Sequence, residues 1–394
     1  AFYQAQVPDP AIATWGDRER IKFNTTENFR QTADFVGVTV SSAAVAAIQA
    51  YTDGFLTQHA DLFAARVRNG WIRDCHGDLH AAHIHLAPRS VCIFDCIEFN
   101  DRFRSIDVAS DLAFLAMDLD HAGHPDLADF FVRWMIRALI DPEMARIIDF
   151  YKCYRAYVRG KVESLRGVEQ EVPDVERQAS REAARRYFRL ALQYAVAGSE
   201  PTIIVTMGRI ASGKSTLARH LADELGWEIV ASDQVRKERA GIPTRGRPSD
   251  EVRSWLYSPE AIEATYDVLL RVAEERLRGG RSLILDATFS RPDHRERLVD
   301  VLTTMGARYC VVEAQAPDVE RRRRLRERDA HGNEVSDARL ENLDALDQTY
   351  EPPVEISPLH FLAVNTNQPS QATVELTLVG LVHRHLESPL ARPD

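Results

Sequence analysis

Gly208-Arg209-Ile210-Ala211-Ser212-Gly213-Lys214-Ser215, with Thr216 directly after it, decides how the rest of this chain is read. The eight residues fit the spacing G-x-x-x-x-G-K-[ST]. Its two glycines let the backbone wrap an anion without interference from a Cβ. Successive N–H groups and the start of a following helix then present positive potential to a phosphate. In such a loop Lys214 reaches the β- and γ-phosphates of ATP, and the Ser215 hydroxyl serves Mg²⁺. The lysine carries weight because only five of the 49 basic residues are lysines.

Working outward, residues 202–206 (TIIVT) read as a buried strand leading into the loop, and 215–225 as the helix leaving it. The same rhythm continues with strands at 228–231, 282–285, 309–312 and 360–364 and a long helix at 259–278. Alternation of this kind predicts an α/β domain with a parallel five-stranded sheet covered by helices on both faces. The third strand ends in Asp286, placed to organise Mg²⁺. Asp233 follows the second strand, at the sheet end where open α/β folds bind ligands. A carboxylate there can take a proton from an acceptor hydroxyl, and also suits a helix N-cap. Arg236, three residues on, shares its helical face and can hold the acceptor or the transferring phosphate. Arg321, Arg324 and Arg328 fall on one stripe of a later helix, and Arg324 or Arg328 is expected to close over the phosphates.

On these residues, the stretch from 200 onward resembles the small P-loop kinases of the nucleoside-monophosphate-kinase-like group. The gluconate-kinase-like, zeta-toxin-like and polynucleotide 5′-hydroxyl-kinase-like proteins are the nearer relatives. The loop 208–215, the Asp233/Arg236 pair, Asp286 and the Arg-rich segment followed by Ser336-Asp337-Ala338 carry the likeness. It implies phosphoryl transfer from ATP to a hydroxyl or phosphate, with Asp233 as base and a sheet order of two-three-one-four-five. It leaves the acceptor open.

The first half carries a second signature. Cys75-His76-Gly77-Asp78-Leu79-His80-Ala81-Ala82-His83 precedes Ile93-Phe94-Asp95. This resembles the catalytic loop and metal-binding segment of aminoglycoside-phosphotransferase-like and choline-kinase-like enzymes. On that resemblance Asp78 is a candidate base and Asp95 a candidate Mg²⁺ ligand. His83 stands where those enzymes have a metal-binding Asn, although Mg²⁺ prefers oxygen to imidazole. Two other readings stay open: a structural loop whose Asp and His satisfy local backbone groups, and a transition-metal site, for which the spacing matches no standard zinc motif. The Asp101, Arg102, Arg104, Asp107 and Asp111 group reads as a solvated helix start, and the Tyr151, Tyr154, Tyr157 stripe as core.

The 394 residues suit two domains. The punctuation Gly198-Ser199-Glu200-Pro201 sets them at 1–198, mainly helical with helices near 126–139, 143–166 and 174–196, and 199–394, the α/β kinase. The first is expected to be a phosphotransferase C-terminal lobe in truncated form, since only about 70 residues precede its motif and the chain opens on Ala1. A net charge of −10 disfavours a protein that coats nucleic acid. Five scattered cysteines fit a reducing cytoplasm, and no apolar run approaches a membrane span. The expected partners are therefore ATP, Mg²⁺ and a small-molecule acceptor such as a sugar. A nucleotide-controlled regulatory module and a polynucleotide 5′-hydroxyl kinase are the rival readings.

Overall fold

The structure, a computed structural model, describes residues 2–243, 249–331 and 340–388. It divides into two compact units. One runs to Ser199 and includes the last described residues from His385; the other is Glu200–Arg384.

The first unit is mainly helical. Helix Met144–Arg166 packs along Asp174–Ala197 and Val108–His121. The closest approach needs Gly160, where a Cβ would lie 2.9 Å from the Phe188 ring. Tyr151 and Tyr157 are buried there, as the stripe predicts, while Tyr154 is only half-buried. Four short strands supplement the helices: β1 (Ile72–Asp74), β2 (Ile84–Ala87), β3 (Ser90–Ile93) and β4 (Ser105–Asp107). β1 pairs antiparallel with β4, and β2 with β3.

The solvated helix start is overturned at Asp107 and Asp111, while Asp101 is exposed as expected. Asp107 caps helix Val108–His121 through the Ala109 N–H at 2.8 Å and is itself buried. Its carboxylate pairs with the buried Arg66 guanidinium at 2.7 Å, which also holds Asp141 at 2.5 Å. Asp111 is fully buried and accepts hydrogen bonds from the N–H groups of His76 (3.0 Å) and Gly77 (2.9 Å) and the Tyr3 hydroxyl (2.8 Å). Each carboxylate is tolerated inside because both of its oxygens meet a donor.

The second unit is a parallel sheet of β5 (Thr202–Met207), β6 (Glu228–Ala231), β7 (Leu283–Asp286), β8 (Arg308–Gln315) and β9 (Phe361–Asn365). The order is β6-β7-β5-β8-β9, that is two-three-one-four-five in chain sequence. β5 and β7 are buried at every position, which is why they read as unbroken apolar runs. Ile203, Val205, Leu283, Leu285 and Val311 meet Leu269, Tyr266, Phe289 and Leu298 from helices and connections on one face. Helix Lys214–Leu225 lies against β5, β6 and β7. The carboxyl ends of β5, β6 and β7 therefore gather in one place.

Candidate functional site

The loop after β5 is built by backbone constraint. Gly208 has φ +136°, and a Cβ there would sit 2.5 Å from the Ala314 carbonyl oxygen of β8. Gly213 has φ +94° and forms the N-terminal boundary of helix Lys214–Leu225. Both positions call for glycine. Ala211 also lies in the left-handed region at φ +59°, an uncommon place for a residue with a side chain. Its methyl is buried against Leu325 and Leu343, and the Arg324 guanidinium donates to its carbonyl at 3.3 Å. The Thr216 and Leu217 N–H groups turn back to the Gly213 carbonyl (3.1 and 3.0 Å), which leaves those of Lys214 and Ser215 at the helix start to face an anion.

Asp286 ends β7 directly opposite Thr206 of β5. The Thr206 hydroxyl donates to its Oδ1 at 3.1 Å. Burial raises the Asp286 carboxyl above its ordinary value, opposed by Lys214 and by a hydrogen bond from Ser215. Ser215 and Asp286 thus share a hard-oxygen donor pair beside a lysine, a set suited to Mg²⁺.

Asp233 and Arg236 occupy helix Ser232–Arg239, which starts as β6 ends. Arg236 donates to the Asp233 carboxylate at 2.8 Å, and its guanidinium lies 4.5 Å from the centre of the Tyr257 ring. Burial works against the Arg236 charge, but Asp233, together with Tyr257 and Tyr266, outweighs it and raises the pKa. A cavity of about 650 Å³ opens here, lined by Lys214, Asp233, Arg236, Tyr257, Tyr266 and Arg209 among others. The phosphate loop and the Asp233–Arg236 pair border one cavity.

The same cavity holds residues that the motifs did not flag. Tyr266 donates no motif, yet its hydroxyl accepts from the Phe289 N–H at 3.1 Å and its ring stacks on His294 at 3.9 Å. His294 Nε2 lies 2.8 Å from Glu263, and Arg209 stacks over Tyr350 at 4.7 Å. These residues come from separate helices and connections, so no local spacing could have marked them.

The Arg-rich helix, Asp318–His331, departs from a uniform stripe. Arg321 is almost wholly buried: it pairs with Asp347 at 2.8 Å and donates to the Ile210 carbonyl at 3.3 Å. It braces the loop from behind. Arg324 is engaged with Glu320 (2.7 Å) and the Thr366 carbonyl (2.8 Å) as well as with Ala211. Together with Arg328, Thr216, Gly213 and His220 it borders a second cavity of about 500 Å³. Ser336-Asp337-Ala338 lie outside the described residues.

In the first unit the structure brings Asp78, His83 and Asp95 together. His83 Nε2 is 3.3 Å from Asp95 Oδ2, while Nδ1 is 3.7 Å from Asp78 Oδ2 and 3.0 Å from the Asp78 carbonyl oxygen. The two carboxylates face opposite nitrogens of one ring. His80, absent from that candidate trio, places Nε2 3.5 Å from Asp78 Oδ2. Burial alone would raise the Asp78 carboxyl, but hydrogen bonding to His80, with the charges of His83 and Arg155, brings it below its ordinary value.

The family described as "AAA domain" matches residues 203–353, the stretch from β5 past Tyr350. An uncharacterized protein of Mycobacterium tuberculosis is 34% identical over 299 residues, covering 75% of this chain and 58% of that protein. The chain thus spans little more than half the length of the curated relative it matches. The similar stretch is longer than Glu200–Arg384, so the likeness reaches into the first unit as well. Among solved structures, a gluconokinase from Sinorhizobium meliloti is similar at 21% identity and a TM-score of 0.32, covering 48% of this chain and 94% of that one. A sugar kinase from Janibacter is similar at 19% identity and a TM-score of 0.35, covering 48% and 99%. No described helix is long and apolar enough to cross a membrane.

Proposed function

We propose that the unit Glu200–Arg384 is an ATP-dependent kinase that transfers the γ-phosphoryl group to a hydroxyl of a small polar molecule, sugar or sugar-like. The observation that carries this reading is the single cavity bordered by Lys214 of the phosphate loop and by the Asp233–Arg236 pair. A pure nucleotide switch has no need of a carboxylate and a guanidinium on the far side of its phosphates. At about 650 Å³ the space suits a metabolite-sized acceptor.

The roles follow from placement. Lys214 and the loop N–H groups hold the β- and γ-phosphates in line with the acceptor. Ser215 and Asp286 would hold Mg²⁺, which supplies charge neutralisation across the β- and γ-phosphate oxygens. Arg236 fixes the Asp233 carboxylate, and Asp233 accepts the proton of the attacking hydroxyl. Arg321 and Arg324 act through the loop carbonyls they hold, keeping Ala211 in its left-handed conformation. Arg324 and Arg328 both border the second cavity, from which either can meet the nucleotide.

The test is ADP release from ATP and Mg²⁺ against a panel of hydroxyl metabolites, comparing wild type with Lys214→Ala, Asp233→Asn and Asp78→Asn. Acceptor-stimulated turnover is expected to vanish with Lys214→Ala. It should fall ~10²–10⁴-fold with Asp233→Asn while ATP binding persists, and survive Asp78→Asn. Turnover that survives Lys214→Ala and fails with Asp78→Asn would move the chemistry to the first unit.

A further inference from the structure

We propose that Asp78, His80 and His83 form a binding site for a borderline divalent transition cation of the Zn²⁺ type, with Asp95 as the partner that orients His83. This site is separate from the phosphate loop and does not rest on the kinase reading.

Three donor atoms converge. Asp78 Oδ2 lies 3.5 Å from His80 Nε2 and 3.7 Å from His83 Nδ1, and each of the three residues offers a ligand atom within 4.8 Å of the others'. Ligands held about 2.0–2.2 Å from a tetrahedral zinc ion must themselves stand a little over 3 Å apart, so small side-chain adjustments close this set. The two imidazole rings already lie side by side, 3.9 Å between centres. Asp78 keeps a third of its side chain exposed, which leaves an entry path and an open face for water or another ligand.

The donor set selects the ion. Two nitrogens and one carboxylate oxygen are poor company for Mg²⁺, which demands oxygen, and ordinary for Zn²⁺, Co²⁺ or Ni²⁺. Where kinases of the resembled kind place an oxygen ligand, this chain has His83, and it stands beside His80, the second histidine of the motif. The charge balance agrees. Among the described residues, the ion pairs that Asp78 makes are to these two histidines, while Arg155 and Arg159 act on its carboxylate only from beyond ion-pair distance. The other cluster of similar make-up, Glu263, Asp293 and His294, differs on this point. Arg297 holds Glu263 at 3.2 Å, and Arg291 holds Asp293.

Asp95 completes the arrangement from behind. Its Oδ2 lies 3.3 Å from His83 Nε2, the nitrogen opposite the one facing Asp78. Binding a cation at Nδ1 requires that nitrogen to be free of a proton. The Nδ1 contact with the Asp78 carbonyl is then given up, and Nε2 carries the proton and donates it to Asp95. A carboxylate holding the outer N–H of a ligating histidine fixes its tautomer and raises its basicity.

The experiment uses the untagged full chain, freed of metal by chelator dialysis, and titrates Zn²⁺ against a chromophoric competitor. One equivalent is expected to bind. His80→Ala and His83→Ala should each weaken it at least 100-fold, and Asp95→Asn ~10–100-fold. Cys92→Ser and His294→Ala should leave it unchanged. Because alanine variants can disturb the loop, the near-isosteric Asp78→Asn is read by Co²⁺ absorption. Wild type should give intense bands of a low-coordinate nitrogen–oxygen site, and the variant should lose them with its far-UV circular dichroism unaltered. Zn²⁺ affinity unmoved by His83→Ala, affinity that follows Cys92 or His294, or Co²⁺ bands that persist in Asp78→Asn would each overturn the site.

Discussion

At Gly208 a single missing methyl shapes the phosphate loop. The β8 backbone passes so close that a Cβ would lie 2.5 Å from the Ala314 carbonyl oxygen, and φ is +136°. Gly208→Ala is therefore expected to destabilise the fold by about 1–3 kcal/mol, read as a lower urea midpoint. An unchanged midpoint would show that the loop can move away from β8 at no cost. The motif spacing made this glycine visible in the sequence, but not the reason for it, because Ala314 lies more than 100 residues away. His83 illustrates the converse. As a letter it stood in for a metal-binding Asn; in space it lies between two carboxylates.

At the scale of elements, the arginines of helix Asp318–His331 read as one stripe closing over the phosphates and are sorted by burial instead. Residues on one stripe differ because the helix packs on the back of the phosphate loop at Arg321 and Arg324 and leaves it toward Arg328. Glu320 ties this down. Hydrogen bonds from Arg323, and from Arg324 as well, hold its pKa at about 2, below the ordinary 4.5. The ionised form is the one the fold favours. Its stabilising effect is complete above pH about 4.5 and is lost as pH falls through about 2. Glu320→Gln should thus lower stability at neutral pH, with the gap to wild type closing as pH falls toward 2. Urea midpoints measured from pH 7 to pH 2 check this, and a gap independent of pH would mean that the ion pairs contribute nothing. The strands were easier to read than this helix. β5 and β7 are buried on both faces, so apolar runs and a terminal Asp286 sufficed to locate them.

For the whole molecule, the question is which unit holds the nucleotide. ATP with Mg²⁺ is expected to slow amide hydrogen exchange in peptides spanning 203–217 and 283–290. A ligand that binds only the folded state adds ~2.7 kcal/mol of protection at one hundred times its dissociation constant. Protection confined to 72–107 would place the nucleotide in the first unit and end the kinase assignment for the second. The Asp107 and Asp111 carboxylates show what the pattern of charges could not convey about the first unit. A cluster of Asp and Arg near a helix start is commonly solvated. Here it is interior, because Arg66 arrives from a helix some 40 residues upstream and the loop at His76 and Gly77 turns its N–H groups inward.

The sequence by itself determined what is local and periodic. It specified the glycine-bracketed loop with its lysine and serine, the five parallel strands in their two-three-one-four-five order once the resemblance was admitted, and the long helices of the first unit. These depend on backbone freedom, apolar runs and residue spacing, all written within a few neighbours. Only the tertiary structure decided which arginines brace the loop and which border a cavity. It also brought Tyr257, Tyr266, Tyr350 and His294 around Asp233 and Lys214, and set His80 beside Asp78 and His83. Such relations are made by long-range packing, where a side chain's role follows from which distant backbone groups and charges share its space.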